Sequence, residues 1–255
     1  MNTIFDSNSK PLITAEALKD KLDSFPDVVI SCFSKKLFDL FLETVPHKQI
    51  GQTNCASQEF PLYEIEVQGK RIGLYCSPVG APACVSVYED FCAMGLNKLI
   101  LFGTCGVLDQ TIDDCSIVVP TSSIREEGTS FHYVPASLEI EASNAFIPDF
   151  LSYLSSKDIH YKTGKNWTTD APYRETIDKV SHFKSLGVIS VDMEASAMAA
   201  VAQFKNKKIL HFFYAADSLA IEKWDKRSLS NSARLDDKLK IFNLVIDYIL
   251  TSKMM

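Results

Sequence analysis

The sequence predicts a single α/β domain over residues 1–255, with a central mixed β-sheet flanked by helices. Three observations lead there. Short β-branched runs alternate with amphipathic stretches along the chain. An early hairpin pattern puts an antiparallel pair into the sheet. A chain of 255 residues can bury one sizeable core, and no linker divides it.

Taken in order, Val28, Val29, Ile30, Ser31 and Cys32 predict a buried strand, and 35–45 has the spacing of a helix. Runs at 62–67 and 71–76 flank Gln68, Gly69 and Lys70, a hairpin with glycine where the turn needs positive φ. A helix is expected over 83–94 with Gly95 as its C-cap, then a strand at 98–102 that runs into Gly103, Thr104, Cys105 and Gly106. A strand at 116–120 leads to a polar loop over 121–135 that holds Arg125, Glu126, Glu127, Gly128 and His132. Long polar loops in compact domains are often functional.

Downstream, 145–155 reads as helix, 159–167 as strand, 168–173 as loop and 188–191 as a short strand. Met193 and Glu194 open an alanine-rich helix over 195–204. A strand at 209–214 ends at Ala215, Ala216, Asp217 and Ser218, and 233–250 is a closing helix.

Composition narrows the function classes. A net charge of −6 and a pI near 5.4 argue against nucleic acid as a partner, because phosphate backbones are bound through clustered Lys and Arg. The start of the chain lacks the basic, then apolar, pattern of a signal peptide, and no apolar run is long enough for a bilayer, so a cytoplasmic protein without membrane contact is expected. The seven cysteines contain no C-x-x-C pair and the five histidines show no ligand spacing, so neither a disulfide framework nor a metal is implied.

Three strand ends carry polar groups: Gly103 to Gly106, Asp192 to Glu194, and Asp217 with Ser218. In open α/β sheets ligands gather at the carboxyl ends of strands. Glycines there let backbone N–H groups approach a ligand, and Thr104 adds a hydroxyl for an anion or a sugar oxygen; a tight turn after a buried strand is the alternative. Glu194 can accept two hydrogen bonds from a vicinal diol such as that of ribose, or simply sit favourably at a helix N-terminus. Asp217 follows an apolar strand, and partial burial there would raise its pKa and make it a proton donor; an N-cap is the other reading.

Together these segments resemble the nucleoside phosphorylase superfamily, which includes hexameric purine nucleoside phosphorylases and uridine phosphorylases. The similarity runs from about Val28 to the final helix and is carried by 99–106, 123–132 and 190–195, in the family's order. The resemblance implies that Met193 and Glu194 hold the ribose, while Cys105, Gly106, Val191 and Asp192 lie along the base. It implies that Thr104, with Gly103, meets the phosphate co-substrate, no other cofactor being needed. Tyr173 is the aromatic candidate for stacking on the base, although Pro172 falls at the family's ring position. Asp217 matches the acid that purine-specific members use to protonate N7 of the leaving base, so purine phosphorolysis is the favoured activity. The resemblance also implies a dimer-based homo-oligomer, such as a hexamer.

The sequence departs from the family pattern at the phosphate. Ser31 to Lys36 stands where phosphorolytic members carry a G-D-P-x-R loop, and Leu101 stands where they have an arginine. Lys35, Lys36, Arg125 and Arg174 are the substitute cations available. A hydrolytic nucleosidase, a uridine phosphorylase and a non-catalytic nucleoside-binding protein remain alternatives.

Overall fold

The computed structural model describes residues 5–7, 9–142, 145–221, 223–230 and 232–252. The first half contains α1 (Ala15–Leu18), β1 (Val28–Cys32), α2 (Lys35–Glu43), β2 (Lys48–Asn54), β3 (Glu59–Val67), β4 (Lys70–Cys76), α3 (Ala81–Met94) and β5 (Lys98–Val107). There follow β6 (Ile117–Glu126), β7 (Glu139–Glu141), α4 (Ile147–Ser156), β8 (Tyr161–Thr169), α5 (Ile177–Ser185), β9 (Val188–Asp192), α6 (Ala195–Phe204), β10 (Lys208–Ser218) and α7 (Leu235–Thr251). Short 3-10 turns occupy Thr129–His132 and Pro172–Arg174.

All ten strands belong to one mixed sheet, and part of it closes on itself. β5 pairs with β10, which meets β6, then β8, then β9, which returns to β5. The wing β1, β4, β3, β2 extends from β5. β1 is buried along its whole length between parallel β4 and β5, which suits its Val-Val-Ile run. The hairpin of β3 and β4 turns on Gln68 and Gly69 at φ 52° and 75°, the paired positive φ values of a tight hairpin turn.

Helices cover both faces. On one, α2, α4 and α7 pack Phe38, Phe41, Phe150, Phe242 and Tyr248 over Ile100, Phe102 and Phe212. On the other, α3 and α6 pack Tyr88, Phe91, Met198 and Val201 over Leu99, Leu101 and Ile209. α2 starts at Ser34, whose hydroxyl accepts from the Leu37 N–H at 3.3 Å, and α3 stops at Gly95 with φ 134°. Among the described residues no helix is long and apolar enough to cross a membrane.

Two expected connections are strands. Gly103 to Gly106 is no turn, because β5 continues to Val107, paired with β10 throughout. The polar stretch from 121 is the second half of β6, where Ser122, Ser123 and Arg125 are buried beside β8. Polarity mimics a loop there because these side chains bond one another instead of water. β2, β7, α1 and α5 lie outside the expected elements; β2 is mostly exposed and shows no apolar alternation.

One feature of the topology makes a crevice. β1 pairs with β5 only as far as Phe102, and on the same side β9 joins β5 at Gly106. Residues 103–105 thus lie where two neighbours diverge, at the carboxyl ends of the strands, which is where open α/β sheets place ligands.

Candidate active site

A cavity of about 580 Å³ opens at this divergence. Its walls bring together Thr104, Cys105 and Gly106 of β5, Val191 and Asp192 of β9, Met193, Glu194, Tyr173 and Asp217, all chosen from the sequence. Strand register explains the gathering, because Gly106 is paired with Val191 on one side and with Asp217 on the other. A bulge between Ala215 and Asp217 re-aims the end of β10. Gly106 has no room for a side chain: a Cβ there would stand 2.6 Å from Leu219 and 3.4 Å from the Asp217 carboxylate.

Glu194 is buried at the junction of β9 and α6. Its Oε1 accepts from the Gly80 N–H at 2.6 Å, and Gly80 presents that group at φ 99°, a conformation that favours glycine. Burial, and then the nearby Asp192, push the Glu194 carboxyl upward. Backbone hydrogen bonds from Gly80 and Met193 pull the other way.

Asp192 belongs to a different network. Its Oδ1 accepts from Asn166 Nδ2 and Thr168 Oγ1, each at 2.7 Å, while Oδ2 accepts from the Glu194 and Ala195 N–H groups at 2.8 and 2.7 Å. The carboxylate therefore caps α6 and is fully engaged, so its contribution to the cavity wall is backbone and carbon. The sequence did not disclose this buried cluster, whose members lie on β8 and β9; adjacent polar residues in apolar strands were the only signal.

Asp217 is mostly buried, and its Oδ2 accepts from the Trp224 indole N–H at 2.8 Å. Burial raises its pKa, against the hydrogen bond from Trp224. Glu175, on the same cavity wall, is pushed up to about 7 by burial and then by the charge of Asp217. Neither Trp224 nor Glu175 was found from the sequence, since both stand on irregular segments without periodicity. Tyr173 lines the cavity mouth with its ring almost wholly exposed.

The anion side differs from expectation. Phe33, on the connection after β1, lines the cavity and lies so close to Gly103 that a Cβ there would meet its ring at 2.5 Å. Gly103 is thereby covered, and Thr104 is the polar side chain left exposed on this stretch. Arg125 is not in the cavity wall: its guanidinium donates to Ser130 Oγ, Pro135 O and Ser137 Oγ, each at 2.8 Å, and stacks over Phe131. Lys35 lies outside as well, paired with Asp39 on the exposed face of α2. Among the described residues no Lys or Arg is in the cavity's walls.

The fold is that of an α/β enzyme, and its candidate site is built from strand ends with three buried carboxyl groups, Asp192, Glu194 and Asp217. Residues 27–242 match the phosphorylase superfamily model, and the chain belongs to that enzyme family. It is similar to a purine nucleoside phosphorylase of the DeoD type from Brevibacillus brevis, 23% identical over 186 residues, covering 72% of this chain and 75% of that one. It is 22% identical over 149 residues to a guanosine phosphorylase of Halorubrum lacusprofundi, covering 58% of this chain and 62% of that protein's length. Among solved structures, a Vibrio fischeri uridine phosphorylase superposes with TM-score 0.77 at 17% identity, covering 93% and 99% of the two chains. A Toxoplasma gondii purine nucleoside phosphorylase gives 0.73 at 18%, covering 88% and 91%. At such identities these two structures establish the fold alone.

Proposed function

We propose that this protein cleaves the N-glycosidic bond of a ribonucleoside, a purine in preference, by phosphorolysis to free base and ribose 1-phosphate. The observation that carries this reading is the Asp217 carboxyl, raised in pKa and facing a cavity that is also lined by the buried Glu194. Cleavage sends the electron pair of the C–N bond into the base, so a proton delivered to N7 stabilises the leaving group, and a carboxyl whose pKa burial raises is better placed to deliver it. Glu194 accepts from the ribose hydroxyls, with Met193 against the sugar. Cys105, Gly106, Val191 and Asp192 form the wall along the base, and Tyr173 covers the mouth.

In this reading phosphate attacks the oxocarbenium-like sugar beside Thr104, Gly103 being covered by Phe33. With Lys35 paired to Asp39 and Arg125 outside the cavity wall, its charge is met by a neighbouring copy in a cytoplasmic, dimer-based homo-oligomer such as a hexamer. Hydrolysis is the second reading, favoured by Phe33 over Gly103 and by cavity walls that, among the described residues, hold no Lys or Arg.

Purified protein incubated with inosine, adenosine and uridine, with and without phosphate, separates the two. Phosphate-dependent release of base with ribose 1-phosphate supports phosphorolysis, and preference for uridine overturns the purine assignment. Release without phosphate, giving free ribose, establishes the nucleosidase. If nothing is released while nucleoside still binds, the protein is a binding module.

A further inference from the structure

A second cavity, of about 400 Å³, shares Glu175, Leu219 and Trp224 with the candidate active site. Its remaining surface is largely apolar, supplied by Ile177 and Val180 of α5 and by Ala220 and Ile221 after β10. The segment that forms this far wall is pinned: Leu219 N donates to Val107 O at 2.9 Å, and Lys184 Nζ donates to the Ala220 carbonyl at 2.9 Å. Lys184 thus spends its charge holding the wall. Among the described residues the Glu175 carboxyl makes no hydrogen bond or ion pair, although it stands on the boundary of both cavities.

We propose that the second cavity is a subsite for an apolar substituent on the 6-amino group of a purine nucleoside, and that Glu175 accepts the remaining N–H of that group. The proposal rests on the reading of Asp217 as the donor to N7. N7 and the 6-substituent lie on the same edge of a purine ring, so a base whose N7 faces Asp217 turns its 6-position to an adjoining wall. Glu175, Leu219 and Trp224 are that wall, because they line the cavity with Asp217 and also border the second one. A monosubstituted 6-amino group keeps one N–H for the unpaired carboxyl, and its alkyl or arylmethyl group enters the apolar chamber beyond. The substrate class is an N6-alkylated or N6-arylmethylated adenine nucleoside.

The test measures kcat/KM and Kd for adenosine, N6-benzyladenosine and N6-benzyl-N6-methyladenosine on the full chain. The native protein should favour N6-benzyladenosine over adenosine by about tenfold, the worth of burying an apolar group in a fitted pocket. The doubly substituted probe, with no N–H for Glu175, should bind about tenfold more weakly than N6-benzyladenosine. Ala220→Phe, which fills the second cavity away from Asp217 and Glu194, should abolish the benzyl preference and leave adenosine turnover unchanged. If adenosine is cleaved but the benzyl group is refused, or Ala220→Phe leaves the preference intact, the subsite is wrong while the Asp217 reading stands. A change in particle mass on Ala220→Phe without loss of benzyl discrimination makes the cavity a contact between copies and overturns the subsite. If no purine nucleoside binds at all, both readings fall together.

Discussion

Asp217 lies next to last in β10, one residue beyond a bulge, with an indole N–H on one oxygen and burial raising its pKa. Asp217→Asn keeps an oxygen for Trp224 but has no proton to give. Its kcat on a purine nucleoside should fall about 10²- to 10⁴-fold, with KM nearly unchanged, in steady-state assays. Activity needs the protonated form and should therefore decline as pH rises through the elevated pKa. Glu175 responds to that ionisation. Burial and then the charge of Asp217 hold its carboxyl up to about 7, with Glu126 raising and Lys179 lowering it. Asp217→Asn removes the Asp217 charge, so the ionisation of Glu175 should move to lower pH in an NMR titration of the variant; an ionisation that stays in place would show that the two carboxyls do not communicate. Asp217 and Glu194 were legible in the sequence as carboxylates at ends of apolar runs. Glu175 and Trp224 were not, because only the tertiary fold brings their irregular segments against β10.

At the scale of elements, the site depends on how α6 begins. Asp192 closes β9 and accepts the N–H groups of Glu194 and Ala195, so the residue that ends the strand also fixes the direction in which Glu194 enters the cavity. Asp192→Ala strands two backbone donors, Asn166 Nδ2 and the Thr168 hydroxyl in a buried setting. The expected cost is about 2 to 4 kcal/mol in urea unfolding, with ribose recognition weakened as well. A loss below about 0.5 kcal/mol would mean that the network is not structural. Sequence periodicity located β9 and α6 closely, since an apolar run followed by an alanine-rich stretch allows little else. It failed at β6, where Ser122, Ser123 and Arg125 gave the composition of a loop although the backbone is paired on both sides. It failed again at β5, where glycines suggested a turn. Their cause is steric: Phe33 presses on Gly103, and Leu219 and Asp217 on Gly106.

Across the whole molecule, packing helices against the closed circuit of β5, β10, β6, β8 and β9 buries polar groups, and His211 of β10 is one of them, beside Ala195 and Ala199 of α6. Both ring nitrogens are buried without hydrogen-bond partners, Phe213 stands 4.9 Å away, and burial pushes the imidazole down to about 3 from 6.5. The native state holds it neutral, whereas the unfolded chain takes up a proton below about pH 6.5. The contribution to stability is therefore complete above that value and is lost as pH falls towards the depressed pKa. Between pH 6.5 and 5 the native protein should lose about 2 kcal/mol more than His211→Leu in urea titrations. Equal losses would show that the ring is solvated or paired.

By itself the sequence determined the α/β class, most strands and helices, the family resemblance, and the carboxylates placed at strand ends, because apolar periodicity and short motifs are local properties of the chain. Tertiary structure decided the rest. Whether a polar side chain meets a ligand or another protein group depends on packing between segments far apart in sequence. That packing turned Asp192 into a helix cap, drew Arg125 away from the cavity, laid Phe33 over Gly103 and set Glu175 beside Asp217.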